Sequence, residues 1–155
     1  MTPESFAALV ATVTVEIAGK PLDAALDAEL NRRFPPDGEK FRAIRAACEA
    51  AIAAGWMCNR EAGGIKYGRV VKPGVATHGF SVDVVEMADL AGPHHRHPFG
   101  EIDMIMPLAS GAEFDGRGAG WLVYGPDTAH RPAVAKGRAL VLYLLPQGAI
   151  EFTRG

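Results

Sequence analysis

The sequence predicts a mainly β domain that follows a segment of about three helices. Two observations support this fold class. Up to residue 55, apolar residues recur at the three- and four-residue spacing of amphipathic helices. From residue 56 onward, short segments rich in Val, Ile, Tyr and Phe are separated by Gly and Pro, which is typical of an all-β sandwich or barrel. We therefore expect an N-terminal helical segment, residues 1–55, packed on a β domain, residues 56–155.

The helical segment divides into three predicted helices. The first carries Pro3 in its opening turn, where proline is tolerated because the amide there has no helical partner. The second is predicted over residues 21–33 and is stopped by the Phe-Pro-Pro-Asp-Gly run that follows it. The third is predicted over residues 39–54, and Gly55 is placed to end it in a left-handed conformation.

Five strands are predicted in the β domain, and turn residues separate them. Asp115 and Gly116 predict a hairpin turn between two neighbouring antiparallel strands. The last strand is apolar at both odd and even positions, so both of its faces must be covered, by the helices or by a second subunit. A homodimer is expected on this ground. The predicted strands span residues 67–72, 80–88, 101–108, 121–124 and 139–145.

Size and charge exclude several classes of protein. The 155 residues, 48% of them hydrophobic and 22% charged, suit one folded domain. With 16 Lys and Arg against 18 Asp and Glu, the net charge of −2 provides no field to attract nucleic acid or a membrane surface. Glu4 stands where a secretory signal would be basic, and no nucleotide-binding glycine motif occurs. We expect a cytoplasmic protein without a nucleotide cofactor, with Cys48 and Cys58 as buried thiols.

Three of the five histidines fall within residues 92–101, and this segment is the predicted site of chemistry. Side chains alternate along a strand, so His95 and His97 share a face and His94 lies on the other one. Pro98 to Gly100 can turn the chain and bring Glu101 back toward the two imidazoles. Two nitrogens and one carboxylate oxygen then form a three-ligand arrangement for a metal ion.

A fourth ligand is expected from His130, which follows a turn-rich segment and can return over the first cluster. Imidazole and carboxylate ligands together favour a divalent first-row transition metal ion, Fe, Mn, Ni, Co or Zn, over Ca or Mg. Four protein ligands leave open positions on a six-coordinate ion, as a reaction requires.

These residues resemble the two motifs of the cupin superfamily. The first motif has the core His-x-His-x3-Glu, matched by His95, His97 and Glu101, and the second is a Gly/Pro turn before a histidine, matched by residues 125–130. The resemblance implies a single cupin, a double-stranded β-helix or jelly-roll barrel. Asp103 shares the parity of Glu101, so it is a candidate acid or base, or else a partner that orients a ligating histidine.

A longer pattern narrows the resemblance. The segments AGWMC at 54–58, EAGGI at 61–65, THGFSVD at 77–83, the histidine segment and GWLVYGP at 120–126 are similar to the bacterial 4-hydroxylaminobenzoate lyase family of nitroaromatic degradation. The resemblance implies conversion of 4-hydroxylaminobenzoate to 3,4-dihydroxybenzoate (protocatechuate) and ammonia. We expect this conversion to be metal-assisted, with Asp103 and Glu101 as the catalytic acids or bases. We expect a small aromatic carboxylate as substrate, bound by Arg69 and by the aromatic residues Trp121 and Tyr124.

Two alternatives stay open at this point. A cupin of this kind can be a metal-dependent oxygenase or isomerase that acts on another small aromatic or keto acid, or a ligand-binding protein without catalytic activity. Oxygen consumption by an iron-loaded sample would favour the first alternative. Tight binding of a small molecule without any metal would favour the second.

Overall fold

The computed structural model of the protein describes residues 1–154, which form three α-helices, one short 3-10 helix (Val75–Thr77) and ten strands. The helices are α1 (Pro3–Ile17), α2 (Ala24–Arg33) and α3 (Glu39–Ala54). The strands are β1 (Arg60–Ala62), β2 (Ile65–Val71), β3 (Phe80–Ala91), β4 (His95–His97), β5 (Glu101–Pro107), β6 (Glu113–Phe114), β7 (Gly120–Tyr124), β8 (Thr128–His130), β9 (Ala133–Pro146) and β10 (Glu151–Phe152). No helix within residues 1–154 has both the length and the apolar character needed to cross a membrane.

The three predicted helices are confirmed, and their caps explain where they begin and end. The side chain of Thr2 accepts a hydrogen bond from the amide of Ser5 before α1. The side chain of Asp23 accepts a hydrogen bond from the amide of Leu26, so α2 begins at residue 24 rather than at residue 21. Gly55 ends α3 with a φ of +87°, as the sequence predicts.

The β domain consists of two antiparallel sheets that face each other. Within the described residues, the larger sheet has the strand order β1-β2-β3-β9-β5-β7, with β6 also paired to β9. The smaller sheet has the order β10-β4-β8. The predicted mainly β class, with about three helices ahead of the β domain, is confirmed.

The hairpin predicted at Asp115 and Gly116 is wrong in its strand pairing. The turn closes locally, since Phe114 bridges to Arg117, but the strands on its two sides do not pair with each other. Strand β6 pairs with β9, and β7 pairs with β5. The turn itself is confirmed. The pairing of the flanking strands differs because it depends on contacts with residues far away in the sequence.

Strand β9 is covered on both faces, as its composition predicts. Leu140, Leu142 and Leu144 belong to a buried cluster that includes the helices. Val141 and Tyr143 belong to a second cluster between the two sheets. The helices of the same chain provide the outer cover, so β9 does not itself require a second subunit.

Candidate metal centre

The two histidines of β4 point into the space between the sheets. His95 and His97 are buried, whereas Arg96 between them is partly exposed and bonds to Asp127 and Glu151 on the outer surface. This is the alternation expected of a strand. His94 is also outside the site, where it forms a hydrogen bond with Thr153.

A tight turn brings Glu101 back to these histidines. The amide of Gly100 donates to the carbonyl of His97 at 3.3 Å, and Gly100 has a φ of +93°. A Cβ atom on Gly100 would lie 2.6 Å from the carbonyl oxygen of Tyr124, so only glycine fits there. Glu101 is the first residue of β5, and its side chain is fully buried.

Long-range strand pairing places His130 in the same cluster. Strands β4 and β8 are antiparallel, and His95 lies directly opposite His130 in their register. The ring centroids of His95, His97 and His130 are all 4.7 to 4.8 Å apart. The structure therefore brings together all four of the predicted ligands.

The spacing of the ligand atoms fits one transition metal ion. Nε2 of His97 and Nε2 of His95 lie 3.2 and 3.3 Å from Oε1 of Glu101, and Nε2 of His130 lies 3.1 Å from Nε2 of His95. One ligand atom from each of the four residues lies within 4.8 Å of the other three. Ligands about 2.1 Å from a common ion are separated by about 3.0 Å at right angles and about 4.2 Å across the ion.

Hydrogen bonds at the far side of each ring set the histidine tautomers. Nδ1 of His95 lies 3.3 Å from the carbonyl oxygen of Pro93, and Nδ1 of His130 lies 2.6 Å from a carboxylate oxygen of Asp115. Nδ1 of His97 lies 2.9 Å from the hydroxyl of Thr128, whose own proton is donated to the Gly125 carbonyl. All three Nδ1 atoms therefore donate, and in the neutral rings all three Nε2 lone pairs face the cluster.

The cluster contains buried polar atoms that lack hydrogen-bond partners within residues 1–154. Nε2 of His97 and Oε2 of Glu101 are buried and have no hydrogen-bond partner within the described residues. Burial opposes ionisation of Glu101, but the three neighbouring histidine side chains hold its pKa well below its ordinary value. Burial also opposes protonation of His130, yet Asp115 and Glu101 raise its pKa to about 9. A cation would satisfy these groups, and the donor set fits a first-row divalent ion.

Asp103 lies behind Glu101 on the same face of β5. It is fully buried, and neither of its carboxylate oxygens has a hydrogen-bond partner within residues 1–154. Burial, together with the negative charge of Glu101, raises its pKa well above its ordinary value. The alternative that Asp103 orients a ligating histidine is wrong, because Pro93, Thr128 and Asp115 occupy the three Nδ1 atoms.

A largely apolar cavity of about 490 Å³ adjoins the cluster, and His95 forms part of its wall. Val85, Tyr143 and Phe152 are among its apolar and aromatic lining residues. The volume lies within the range of about 300 to 1,000 Å³ that is usual for small-molecule sites. The cavity can therefore admit a small aromatic molecule beside the metal ligands.

Of the three predicted substrate-binding residues, one lines this cavity, one packs beside the metal ligands, and one lies on the helical side of the sheet. Arg69 lines the cavity, where its guanidinium is paired to both oxygens of Asp83 at 2.8 and 3.1 Å. The ring of Tyr124 packs 4.6 Å from that of His130. Trp121 is buried against Phe34 and Phe41 on the helical side of the sheet, so the prediction that it binds substrate is wrong. It lies three residues from Tyr124 and therefore on the opposite face of β7.

Sequence reasoning missed the residues that hold the ligands in place. The local sequence predicts only a turn at Asp115, although its carboxylate bonds to His130, 15 residues away. Thr128 belongs to the second motif, but the motif does not predict its hydrogen bond with His97. For Thr128 the alternation of β8 was a usable signal, since it shares the face of His130, but no local pattern identifies the partner of Asp115.

Comparison with known proteins identifies similar sequences over most of the chain. Residues 8–152 match the model of a family described as "PnbB: 4-hydroxylaminobenzoate lyase". A 4-hydroxylaminobenzoate lyase of Pseudomonas putida is 30% identical over 154 residues, an alignment that covers 88% of each chain. A protein of the same name from Nocardioides sp. (strain LMS-CY) is 30% identical over 146 residues, covering 88% of this chain and 86% of that one.

Solved structures that resemble this one include proteins described as cupin-like. One from Thermotoga maritima is 15% identical, with a TM-score of 0.46 over 57% of this chain and 75% of that one. Another, from Ralstonia eutropha, is described as a protein of unknown function with a cupin-like fold. It is 18% identical, with a TM-score of 0.44 over 59% of this chain and 60% of that one.

Proposed function

Because the chain belongs to the 4-hydroxylaminobenzoate lyase family, we propose that it converts 4-hydroxylaminobenzoate to 3,4-dihydroxybenzoate and ammonia. By atom balance this reaction consumes one water and involves no net oxidation or reduction. The observation that carries the proposal is the convergence of three Nε2 lone pairs and the Glu101 carboxylate beside an apolar cavity. This arrangement can hold a cation next to a flat aromatic substrate.

We assign His95, His97, Glu101 and His130 as the residues that hold a divalent first-row metal ion. Such an ion, when bound, supplies Lewis acidity toward the hydroxylamine oxygen and lowers the pKa of water. The apolar wall of the cavity keeps bulk water away from the ring, which strengthens the electrostatic effect of nearby charges.

Asp103 is our proposed proton carrier, in addition to Glu101 as an ionised acceptor. The pKa of the buried Asp103 carboxyl is raised well above its ordinary value, because burial and the neighbouring Glu101 charge both disfavour its ionised form and so favour the proton-carrying form. Transfer of a proton to the hydroxyl of the hydroxylamine lets the N–O bond break and one water leave. One water then adds to the ring at the neighbouring carbon, a second hydrolyses the resulting imine, and ammonia departs.

The substrate carboxylate is proposed to lie at the end of the cavity away from the metal ligands. Asp103, Tyr143, Asp83 and Arg69 are direct register partners on four neighbouring strands of the larger sheet. At about 4.8 Å per strand, the row extends about 14 Å from Asp103 to Arg69. A para-substituted benzoate and an extended arginine side chain can span this distance together, with the ring lying over Tyr143.

Two arginines lie at that end of the cavity. Arg69 is paired with Asp83, which neutralises much of its charge. Arg60 also lines the cavity and makes no side-chain ion pair or hydrogen bond within residues 1–154. The carboxylate therefore has a second cation available besides Arg69. Replacement of each arginine by methionine tests the assignment, and we expect a higher KM with little change in kcat for the one that binds the carboxylate.

The main experiment compares adjacent histidines. Purified wild-type protein, His97→Ala and His94→Ala are analysed for bound metal by elemental analysis and for ammonia release from 4-hydroxylaminobenzoate. His97→Ala should lose both metal and turnover, whereas His94→Ala should retain both, since His94 lies outside the cluster. Full activity in a metal-free His97→Ala protein would rule out the metal-assisted mechanism.

The same samples separate the alternative functions. Oxygen consumption by iron-loaded protein without ammonia release would favour a cupin oxygenase, and ligand binding without metal or turnover would favour a binding protein. We propose a cytoplasmic homodimer that needs neither nucleic acid, membrane nor nucleotide cofactor. Light scattering of the purified protein tests the dimer.

A further inference from the structure

His130 differs from the other two histidines in how its outer nitrogen is held. His95 and His97 are held by neutral oxygen atoms and are almost completely buried. His130 is bonded through Nδ1 to a carboxylate oxygen of Asp115 at 2.6 Å, and 12% of its side chain is exposed. It also lies on the short strand β8, at the edge of the smaller sheet. His130 is therefore the least buried of the three histidines, and its Nδ1 is bonded to the strongest hydrogen-bond acceptor, a carboxylate.

The Asp115 carboxylate is itself fixed from two further directions. Its Oδ1 accepts the backbone N–H of Ala133 at 2.9 Å, at the start of β9. Its Oδ2, which also meets His130, accepts the hydroxyl of Tyr124 at 2.6 Å, at the end of β7. The side chain thus joins strands β7, β8 and β9. These contacts leave it little freedom to turn away from His130.

We propose that Asp115 is a positioning residue that holds His130 in the tautomer and orientation needed for metal binding. The inference rests on the proposed metal-assisted function only in requiring that the cluster binds an ion. A carboxylate accepts hydrogen bonds but cannot donate them, so its partner nitrogen in His130 must carry the proton. Nε2 is then free to bind an ion, and the ring plane is fixed by the same bond.

Tyr124 takes a related part in this arrangement. Its hydroxyl donates to Asp115, so that proton is not available to a substrate. Its ring lies 4.6 Å from His130 and 5.4 Å from His97. Tyr124 therefore orients Asp115 and packs beside two ligands, rather than serving as a hydrogen-bond donor to the substrate.

Titration with Zn²⁺ in competition with a chromophoric chelator tests the inference without any substrate. Asp115→Asn keeps the size of the side chain but removes its charge and allows the opposite histidine tautomer. We expect Zn²⁺ to bind this variant about 10 to 100 times more weakly than the wild type. Glu113→Gln is the matched control, since Glu113 lies two residues away and, among residues 1–154, its carboxylate pairs only with Lys136; the Zn²⁺ affinity of this variant should be unchanged.

A double-mutant cycle separates positioning from a general structural role. If Asp115 acts through His130, Asp115→Asn should cause no further loss of Zn²⁺ affinity in a His130→Ala background. An equal loss in both backgrounds, or wild-type affinity in Asp115→Asn itself, would overturn the proposal. If Asp115→Asn does not fold, Tyr124→Phe decides instead: a weakened Zn²⁺ affinity supports the proposal, and an unchanged one overturns it.

Failure of this inference is distinguishable from failure of the proposed function. Ammonia release is measured on the wild-type protein, whereas the inference concerns Zn²⁺ affinity alone. A wild-type protein that binds no Zn²⁺ would overturn the inference whether or not ammonia is released. A protein that binds Zn²⁺ with the predicted dependence on Asp115 but releases no ammonia would retain the inference and lose the lyase assignment.

Discussion

Replacement of Asn31 by alanine is expected to lower the free energy of unfolding by about 2 to 3 kcal/mol. Asn31 lies on α2, and its amide pairs with the backbone of Trp121 on the edge strand β7. Oδ1 accepts the Trp121 N–H at 2.8 Å, and Nδ2 donates to the Trp121 carbonyl at 2.9 Å. The side chain thus takes the place of a neighbouring strand at this edge.

The magnitude follows from what the substitution leaves behind. The Trp121 carbonyl keeps a second donor, Nη1 of Arg117 at 2.7 Å, so that loss costs about 1 kcal/mol or less. The buried Trp121 N–H keeps no partner, and the middle of the usual range for such a group is about 2 kcal/mol, so the two losses together come to about 2 to 3 kcal/mol. In a domain of this size each kcal/mol changes Tm by about 2 to 4 °C, so the melting temperature should fall by about 4 to 12 °C.

The assay is thermal unfolding followed by circular dichroism, with chelator present so that bound metal does not contribute. Asn59→Ala is the control, because Asn59 is exposed and makes no side-chain hydrogen bond within residues 1–154. One transition is expected in both variants, since helix and strand residues share one buried cluster. A change in Tm below about 1 °C, or separate melting of the helices, would refute the reasoning.

Three further predictions concern single residues. Gly100→Ala should destabilise the protein by more than about 1 kcal/mol and weaken Zn²⁺ binding, because the new Cβ would lie 2.6 Å from a backbone oxygen. Gly111 has a similar φ but no atom within 4 Å of a Cβ placed there, so Gly111→Ala should leave Zn²⁺ binding unchanged. Burial raises the pKa of Cys58 to about 12, so a thiol reagent at pH 8 should modify the folded protein far more slowly than the unfolded one, and equal rates would contradict this. Hydrogen bonds from Lys20 and Arg33 lower the pKa of Glu29 below 4.5. The ionised Glu29 side chain therefore stabilises the fold above pH 4.5, and this stabilisation is lost as the pH falls through the lowered pKa. Glu29→Gln should flatten this part of the profile of Tm against pH, and an unchanged profile would refute the assignment.

Much of the metal cluster was predictable because its rules are local. The alternation of β4 places His95 and His97 together, and the turn at Gly100 returns Glu101 to them. The same alternation separates Trp121 from Tyr124, which was a usable signal that both could not face the cavity. His130 was found through a motif, and its position depends on the pairing of β8 with β4.

The remaining parts of the site depend on residues that are distant in the chain. Arg69 was a reasonable choice for a carboxylate, but strand pairing places it opposite Asp83, which neutralises much of its charge. Asp115 stands in a turn whose local chemistry says nothing about His130. A one-residue change in the register of β2 or of β8 would break the Arg69–Asp83 or the Asp115–His130 contact without altering any local sequence pattern.

Local sequence patterns predicted the three helices, five of the ten strands within residues 1–154, the shared face of His95 and His97, and the return of Glu101. Each of these follows from backbone periodicity, capping or turn geometry, which act over a few residues. Long-range contacts set the strand pairing, the face of β7 that meets the helices, and the acceptor that holds each histidine. These features depend on which residues, far apart in the sequence, become neighbours when both faces of β9 are buried. A buried polar group then forms hydrogen bonds with the partner that lies next to it in the folded structure.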